Sequence, residues 1–144
     1  MSRIVPLPTT NTVVDNTVAI INADGSVASF AGPATTVSRI PSSANTTNAT
    51  AAKASAGKLF SVNGYNSSAT VTYLKFYDKA TAPTVGTDTP ALTLALPALA
   101  VFSYDLGGIA FATGIGYGLT TVAADNGTTA PAAGAILGLS VVFN

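Results

Sequence analysis

The chain has 144 residues and a mass of 14.3 kDa, which is the size of a single domain. Hydrophobic residues make up 48% of it, enough for a core, whereas charged residues make up only 8%, against about a quarter in an average soluble domain. The six basic residues are scattered and the formal net charge is zero, which argues against a nucleic-acid partner.

So few charges leave two interpretations of the surface. A protein that faces solvent on all sides normally keeps a charged surface, because charge maintains solubility. The composition therefore favours a surface that is largely covered by other protein. The alternative is an ordinary monomer whose surface is covered by threonine, serine and asparagine.

The sequence contains no cysteine, histidine or glutamate, which narrows the possible chemistry. Disulfides and thiolate metal sites are impossible, and the commonest general bases and zinc ligands are missing. We therefore predict no catalytic residue, no metal site and no cofactor. The longest mostly apolar run, residues 91–102, is too short for a membrane helix, and the first residues do not have the pattern of a secretory signal. We expect no membrane partner.

Residues 1–45 are rich in Thr, Ser, Asn and Pro, and they alternate poorly between polar and apolar positions. Residues 17–21 and 26–30 flank the sequence Asn-Ala-Asp-Gly, which is typical of a hairpin turn. Residues 32–47 contain two prolines and no periodicity, as in a linker. We predict an extended N-terminal arm, residues 1–45, with one small hairpin, which lies over a neighbouring subunit.

Residues 46–144 have the pattern of a β domain. Short alternating segments are separated by turn residues at intervals of roughly 8–12 residues, and no helical stripe is present. The fold class predicted is all-β: a jelly-roll-like antiparallel β-sandwich. The predicted strands cover residues 58–65, 70–78, 92–96, 99–104, 109–112, 115–122 and 135–143.

Alternation also predicts which side chains face the core. Phe60 and Val62 share one face of their strand, and Leu74 and Phe76 share one face of theirs. Residues 70–78 are apolar on both faces, which indicates cover on both sides. In the last strand the residues expected to face inward are Leu137, Leu139, Val141 and Phe143.

Four aspartates, Asp78, Asp88, Asp105 and Asp125, lie where predicted strands begin or end. Aspartate at such positions usually bonds its own backbone in an Asx turn. A calcium site, or an enzyme that uses Asp and Tyr, is the alternative. Neither is favoured, because the carboxylates are not closely spaced as in a dedicated calcium loop.

Gly114, Gly116 and Gly118 alternate with large apolar residues. The run resembles a phosphate-binding loop only superficially, because Leu119 replaces the third glycine of the dinucleotide fingerprint and no helix is predicted after it. We interpret it as a strand with Ile115, Tyr117 and Leu119 in the core and a bare opposite face. Such a face marks a bend, the favoured interpretation, or a place where the arm of a neighbouring subunit lies.

The body also resembles a known group of proteins. The segments TTNATAAKASAGKLFSVNGYN, YLKFYDKATAPTVGTDTP and LGGIAFATGIGYGLTTVAADN, which lie between residues 46 and 126, resemble small structural proteins of tailed bacteriophages. The resemblance implies a non-enzymatic β-sandwich protein of the virion, of the capsid cement or decoration type. Such proteins bind the outside of the head in many copies and hold neighbouring capsid subunits together.

The resemblance implies the major capsid protein as a partner, and self-association as a homodimer, or alternatively a trimer. The residues we expect at subunit contacts are Ile4, Val5, Leu7, Val13, Val14, Tyr65, Tyr73, Tyr77, Gly114, Gly116 and Gly118. Ordinary packing is the alternative role for the tyrosines. The alternative function is a tail, baseplate or head-fibre accessory protein that binds host-surface glycans.

Overall fold

A computed structural model describes residues 34–144 and the backbone pairing of two short strands before them. These two, β1 (Val13–Val14) and β2 (Thr17–Val18), pair antiparallel. This pairing is not that of the predicted hairpin, in which residues 17–21 pair with 26–30. Residues 19–21 and 26–30 lie outside the described residues. The chain divides into two compact units, Met1–Ala34 and Thr35–Asn144.

The second unit contains eight strands and, within the described residues, no helix. They are β3 (Thr36–Ser42), β4 (Thr50–Lys53), β5 (Gly57–Asn66), β6 (Thr72–Asp78), β7 (Leu92–Leu96), β8 (Ala100–Phe111), β9 (Ile115–Thr120) and β10 (Ile136–Phe143). They form two four-stranded antiparallel sheets. The strand order is β3-β10-β5-β8 in the first sheet and β4-β9-β6-β7 in the second. The all-β prediction is confirmed.

One hydrophobic core is built from strands of both sheets, an arrangement consistent with a β-sandwich. Leu59 and Val62 of the first sheet and Leu74, Phe76 and Tyr117 of the second are completely buried in it. The ring centroids of Phe76 and Tyr117 lie 5.9 Å apart with tilted planes, the geometry that aromatic pairs prefer. The core therefore joins the two sheets.

The prediction that residues 32–47 form a linker is wrong for Thr36–Ser42, which is strand β3 and pairs with the last strand of the chain. The body accordingly begins at Thr35 and not near residue 46. β3 escaped detection because it lies at the edge of its sheet. Only Ile40 packs against the core, and Pro41 is tolerated because an edge strand does not need every N–H group.

Because of two β-bulges, Leu137 and Phe60 do not face the core as predicted. Gly138 has a φ of 61°, and the register between β10 and β5 shifts between Leu137 and Ser140. This extra residue turns Ile136 into the core and leaves Leu137 38% exposed. In β5, the partners of Val142 and Phe143 are Ser61 and Leu59, so the pairing skips Phe60. Leu59, not Phe60, joins Val62 in the core.

Candidate interaction surface

The aspartates at strand ends bind the chain's own loops. Asp78, at the end of β6, accepts hydrogen bonds from the backbone N–H groups of Ala112, Thr113 and Gly114 at 3.1, 2.6 and 3.3 Å. The bonds from Thr113 and Ala112 are the main cause that lowers the pKa of Asp78 below its usual 3.8. Asp105 accepts a bond from the N–H of Gly107, which is an Asx turn.

Asp88 stabilises the loop between β6 and β7. Its carboxylate lies 2.6 Å from the Lys79 ammonium and accepts a bond from the N–H of Thr84 at 2.7 Å. The hydrogen bond from Lys79 is the largest cause that lowers the pKa of Asp88, followed by the Thr84 bond. Among the residues that the structure describes, no group of three potential metal-ligating side chains occurs. Of these three aspartates, Asp105 matches the predicted Asx turn. Asp78 and Asp88 do not, because Asp78 bonds a distant turn and Asp88 bonds Lys79 and the preceding Thr84.

The face of the second sheet that points away from the core is covered by the chain's own loop. A Cβ atom on Gly114 would lie 2.6 Å from the Cα of Ala80 and 2.7 Å from the carbonyl oxygen of Lys79. Gly116 and Gly118 face Pro83 and Val85 of the same loop in the same way. The glycines therefore do admit a close backbone, but it belongs to this chain. Their assignment to a subunit contact is wrong.

Two side chains of β6 are buried beneath these loops. Lys75 is completely buried, and its Nζ donates to the carbonyl oxygen of Ala124 at 2.5 Å. Burial lowers the pKa of Lys75, with the charge of Asp125 acting in the opposite direction. Tyr77 is 1% exposed. The two-sided cover predicted for residues 70–78 is observed at Lys75 and Tyr77 but not at Val71, which is 37% exposed. Tyr77, expected at a subunit contact, is buried within this chain.

The outer face of the first sheet, in contrast, carries a line of exposed apolar side chains. Leu137 of β10 pairs with Tyr65 of β5, which pairs with Val101 of β8. Their exposed fractions are 38%, 37% and 80%. Because directly paired residues lie side by side on one face of a sheet, these three form a continuous strip across it. We call Leu137, Tyr65 and Val101 the apolar row.

We call a set of directly paired residues across the four strands a level. The next level of the same face is polar, whereas the level after it combines two valines with a serine and an aspartate. The level next to the apolar row pairs Arg39 with Ser140, Ser140 with Asn63, and Asn63 with Ser103. The following level pairs Val37, Val142, Ser61 and Asp105 in the same order. The strands of this sheet carry three charged residues in total: Arg39 on edge strand β3, Asp105 on edge strand β8, and Lys58 beyond the β5 bulge.

A shallow depression is lined by Lys53, Gly57, Lys58, Phe111 and Asn144, among others. It is widely open to solvent, whereas small-molecule sites usually bury most of the ligand's surface. Two lysines give it some positive character, but it lacks the enclosure that would hold a cofactor.

The structure brings together few of the contact residues expected from the sequence. Ile4, Val5 and Leu7 lie outside the described residues, as do the side chains of Val13 and Val14. Tyr65 is exposed in the apolar row, and Tyr73 is half-buried on the second sheet. Sequence reasoning missed Val101 and Leu137. Val101 could have been identified from the alternation of its strand, because adjacent residues face opposite sides and its neighbour Phe102 is in the core.

No protein-family model, no curated protein and no solved structure matches the chain. Within the described residues, no helix is long and apolar enough to cross a membrane.

Proposed function

We propose that this chain is a structural protein of a tailed bacteriophage, of the capsid cement or decoration type. In this role it binds the outside of the head, joins neighbouring copies of the major capsid protein and stabilises the shell without catalysing a reaction. The observation that carries the proposal is an exposed apolar row on a sandwich with very few charges. Lys75, Lys79, Asp78 and Asp88 are already bonded within the chain, so adhesion is the property that the remaining surface offers.

Two further features support the proposal. The segments between residues 46 and 126 resemble small phage virion proteins. The strand orders β3-β10-β5-β8 and β4-β9-β6-β7 interleave early and late strands in each sheet, as expected for two Greek keys. We propose that the domain is a jelly roll, and that the residues before it reach onto an adjacent subunit as an extended arm.

The mechanism proposed is preferential binding. A protein that binds only the assembled, expanded shell shifts the equilibrium toward that shell. Each contact can be modest, because many linked copies act on one shell and the second contact of a linked pair forms at high effective concentration. Self-association into a homodimer, favoured over a trimer, would provide that link.

The proposal is tested on shells that lack the protein. We expect shells with the purified chain added back to retain DNA to a higher temperature than bare shells. Both kinds of shell are heated to a series of temperatures, and the DNA released at each temperature is measured by its sensitivity to nuclease. An unrelated β-sandwich protein at equal concentration is the control. Equal resistance with and without the chain would contradict the cement function.

One observation favours the alternative function, a fibre or baseplate protein that binds glycans. Tyr65 is exposed and is flanked on its sheet face by Asn63 and by Val101, so an aromatic ring lies beside an amide that can hydrogen-bond. Reproducible hits on a glycan array, lost in Tyr65→Ala, would support that function. An empty array together with shell protection that Tyr65→Ala weakens would leave the cement function alone.

A further inference from the structure

We infer that the outer face of the first sheet packs against the same face of a second copy of this chain. The two copies would be related by a two-fold axis that runs parallel to the strands. The inference rests on the self-association in the proposed function and identifies its surface. It concerns the purified protein, so it can be tested without any shell.

The apolar row has the geometry that such a symmetric contact needs. A two-fold axis parallel to the strands preserves the level along each strand and reverses the strand order across the sheet. β10 of one copy then lies over β5 of the other, so that Leu137 faces the second copy's Tyr65. Leu137 and Tyr65 of each copy therefore cover each other, and Val101 lies over the second copy's Ser42, the β3 residue at the same level. Stacked sheets lie about 10 Å apart, a distance that side chains of this size fill from both sides.

Charge gives the second argument, and it selects this orientation. Arg39 lies on β3 and Asp105 on β8, at opposite edges of the sheet. Three steps of about 4.8 Å separate these strands within one copy, too far for the two residues to pair. Reversal of the strand order places Arg39 above the edge that carries the second copy's Asp105. Along the strand direction, Arg39 and the second copy's Asp105 then differ by two residues, roughly 7 Å, a distance that a long Arg side chain can span.

The two-fold symmetry makes this ion pair occur twice, once at each edge. Exposed pairs contribute little free energy, and their main effect is to penalise other orientations. The apolar row would supply the attraction, and the two charges would fix the direction in which the sheets stack.

The size of the face predicts a weak dimer. Four strands about 4.8 Å apart and about 20 Å long present roughly 400 Å² per copy, about half of the ~800 Å² per partner that a standard interface buries. We therefore expect reversible association in solution, with a dissociation constant in the micromolar range or weaker, that salt weakens further. On a shell, the repeated array would compensate for this weakness.

Sedimentation equilibrium on the full chain, over a wide concentration range, tests the surface. Val101→Lys places a charge in the row and is expected to weaken dimerisation at least about tenfold. The matched control is Val71→Lys, since Val71 is also exposed, at 37%, but lies outside the first sheet; it should dimerise like the wild type. A wild-type chain that stays monomeric, or equal weakening by both variants, would overturn the inference.

Charge reversal tests the orientation. Arg39→Asp should weaken the dimer because two aspartates then meet at each edge, and Asp105→Arg added to it should restore the affinity. Asp105→Asn can keep the turn bond to Gly107 and removes only the charge, so it should weaken the dimer less than Arg39→Asp does. Failure of the double variant to recover would overturn the two-fold arrangement.

Two outcomes would assign the row to another occupant. If the wild type is monomeric yet protects shells, and Val101→Lys does not protect them, the row binds capsid and only the dimer is wrong. If the monomer's melting temperature falls in Val101→Lys, the row is covered by the chain's own residues. A wild-type chain that dimerises but does not protect shells would instead contradict the proposed function.

Discussion

At the scale of single residues, Gly114, just before β9, and Gly116, within β9, show how a missing side chain admits a loop. Gly114 faces backbone atoms of Ala80, Lys53 and Lys79, all between 2.6 and 2.7 Å from the position of a Cβ atom. These backbone atoms cannot move aside for an added methyl group as easily as the end of a flexible side chain can. The nearest atoms to Gly116 lie at 3.2 Å, which a small shift accommodates. The two positions therefore differ in tolerance, although both glycines face the same loop.

We predict that Gly114→Ala destabilises the protein by about 1–3 kcal/mol, the usual cost of inserting a methyl group into a packed region. Gly116→Ala, the matched control on the same face, should cost clearly less. Chemical denaturation followed by tyrosine fluorescence measures both. Equal losses in the two variants would mean that the loop is not held against β9 as the structure has it.

At the scale of elements, Asp78 links the end of β6 to the turn that begins β9. Its carboxylate binds three consecutive backbone N–H groups, so the charged form is favoured in the folded state and the pKa is lowered. The unfolded chain binds the proton more tightly than the folded chain does. The stabilisation is therefore complete well above pH 3.8, and it is lost as the pH falls through the lowered folded pKa.

We predict that Asp78→Asn lowers the melting temperature at neutral pH, because a neutral amide oxygen accepts these hydrogen bonds less strongly than a carboxylate. The difference from the wild type should shrink as the pH falls below the ordinary carboxyl pKa of 3.8. Thermal unfolding at a series of pH values measures it. Asp105→Asn, which keeps a single turn bond, is the control. A difference that does not depend on pH would contradict the role of the charge.

The bulges belong to this scale as well. The alternation of β10 shifts at Gly138, so that Ile136 and Leu139 both face the core although they are three positions apart. Strict alternation of inward and outward residues along the strand would instead place Leu137 in the core. The same kind of shift at Phe60 exchanges it with Leu59. Both errors arose because pairing with a neighbouring strand, not the strand's own sequence, decides where the extra residue lies.

At the scale of the whole molecule, the two outer faces of the sandwich have different roles. The second sheet is covered by loops of the same chain, which bury Lys75 and Tyr77. The first sheet leaves its apolar row open. Within the described residues, this asymmetry leaves an exposed apolar strip on the first sheet, which is what the proposed adhesion to other protein needs.

Preferential binding makes a quantitative prediction about shells. The stabilisation per site grows as the logarithm of protein concentration above the dissociation constant, by about 1.4 kcal/mol for each tenfold increase. We therefore expect the temperature of DNA release to rise steadily with added protein until the sites are full. Val101→Lys should need a higher concentration for the same protection, whereas Val71→Lys should match the wild type. Protection that is independent of concentration would contradict mass action.

The sequence by itself determined the fold class, most strand positions and much of the core. The β7 range, residues 92–96, and the core positions of Leu74, Phe76 and Tyr117 were correct because alternation and turn residues are local signals. Tertiary structure alone decided that Thr36–Ser42 pairs with the last strand, where the bulges lie, and which sheet face is covered. These depend on contacts between residues far apart in the chain, and a local pattern states only that a face is apolar, not what covers it.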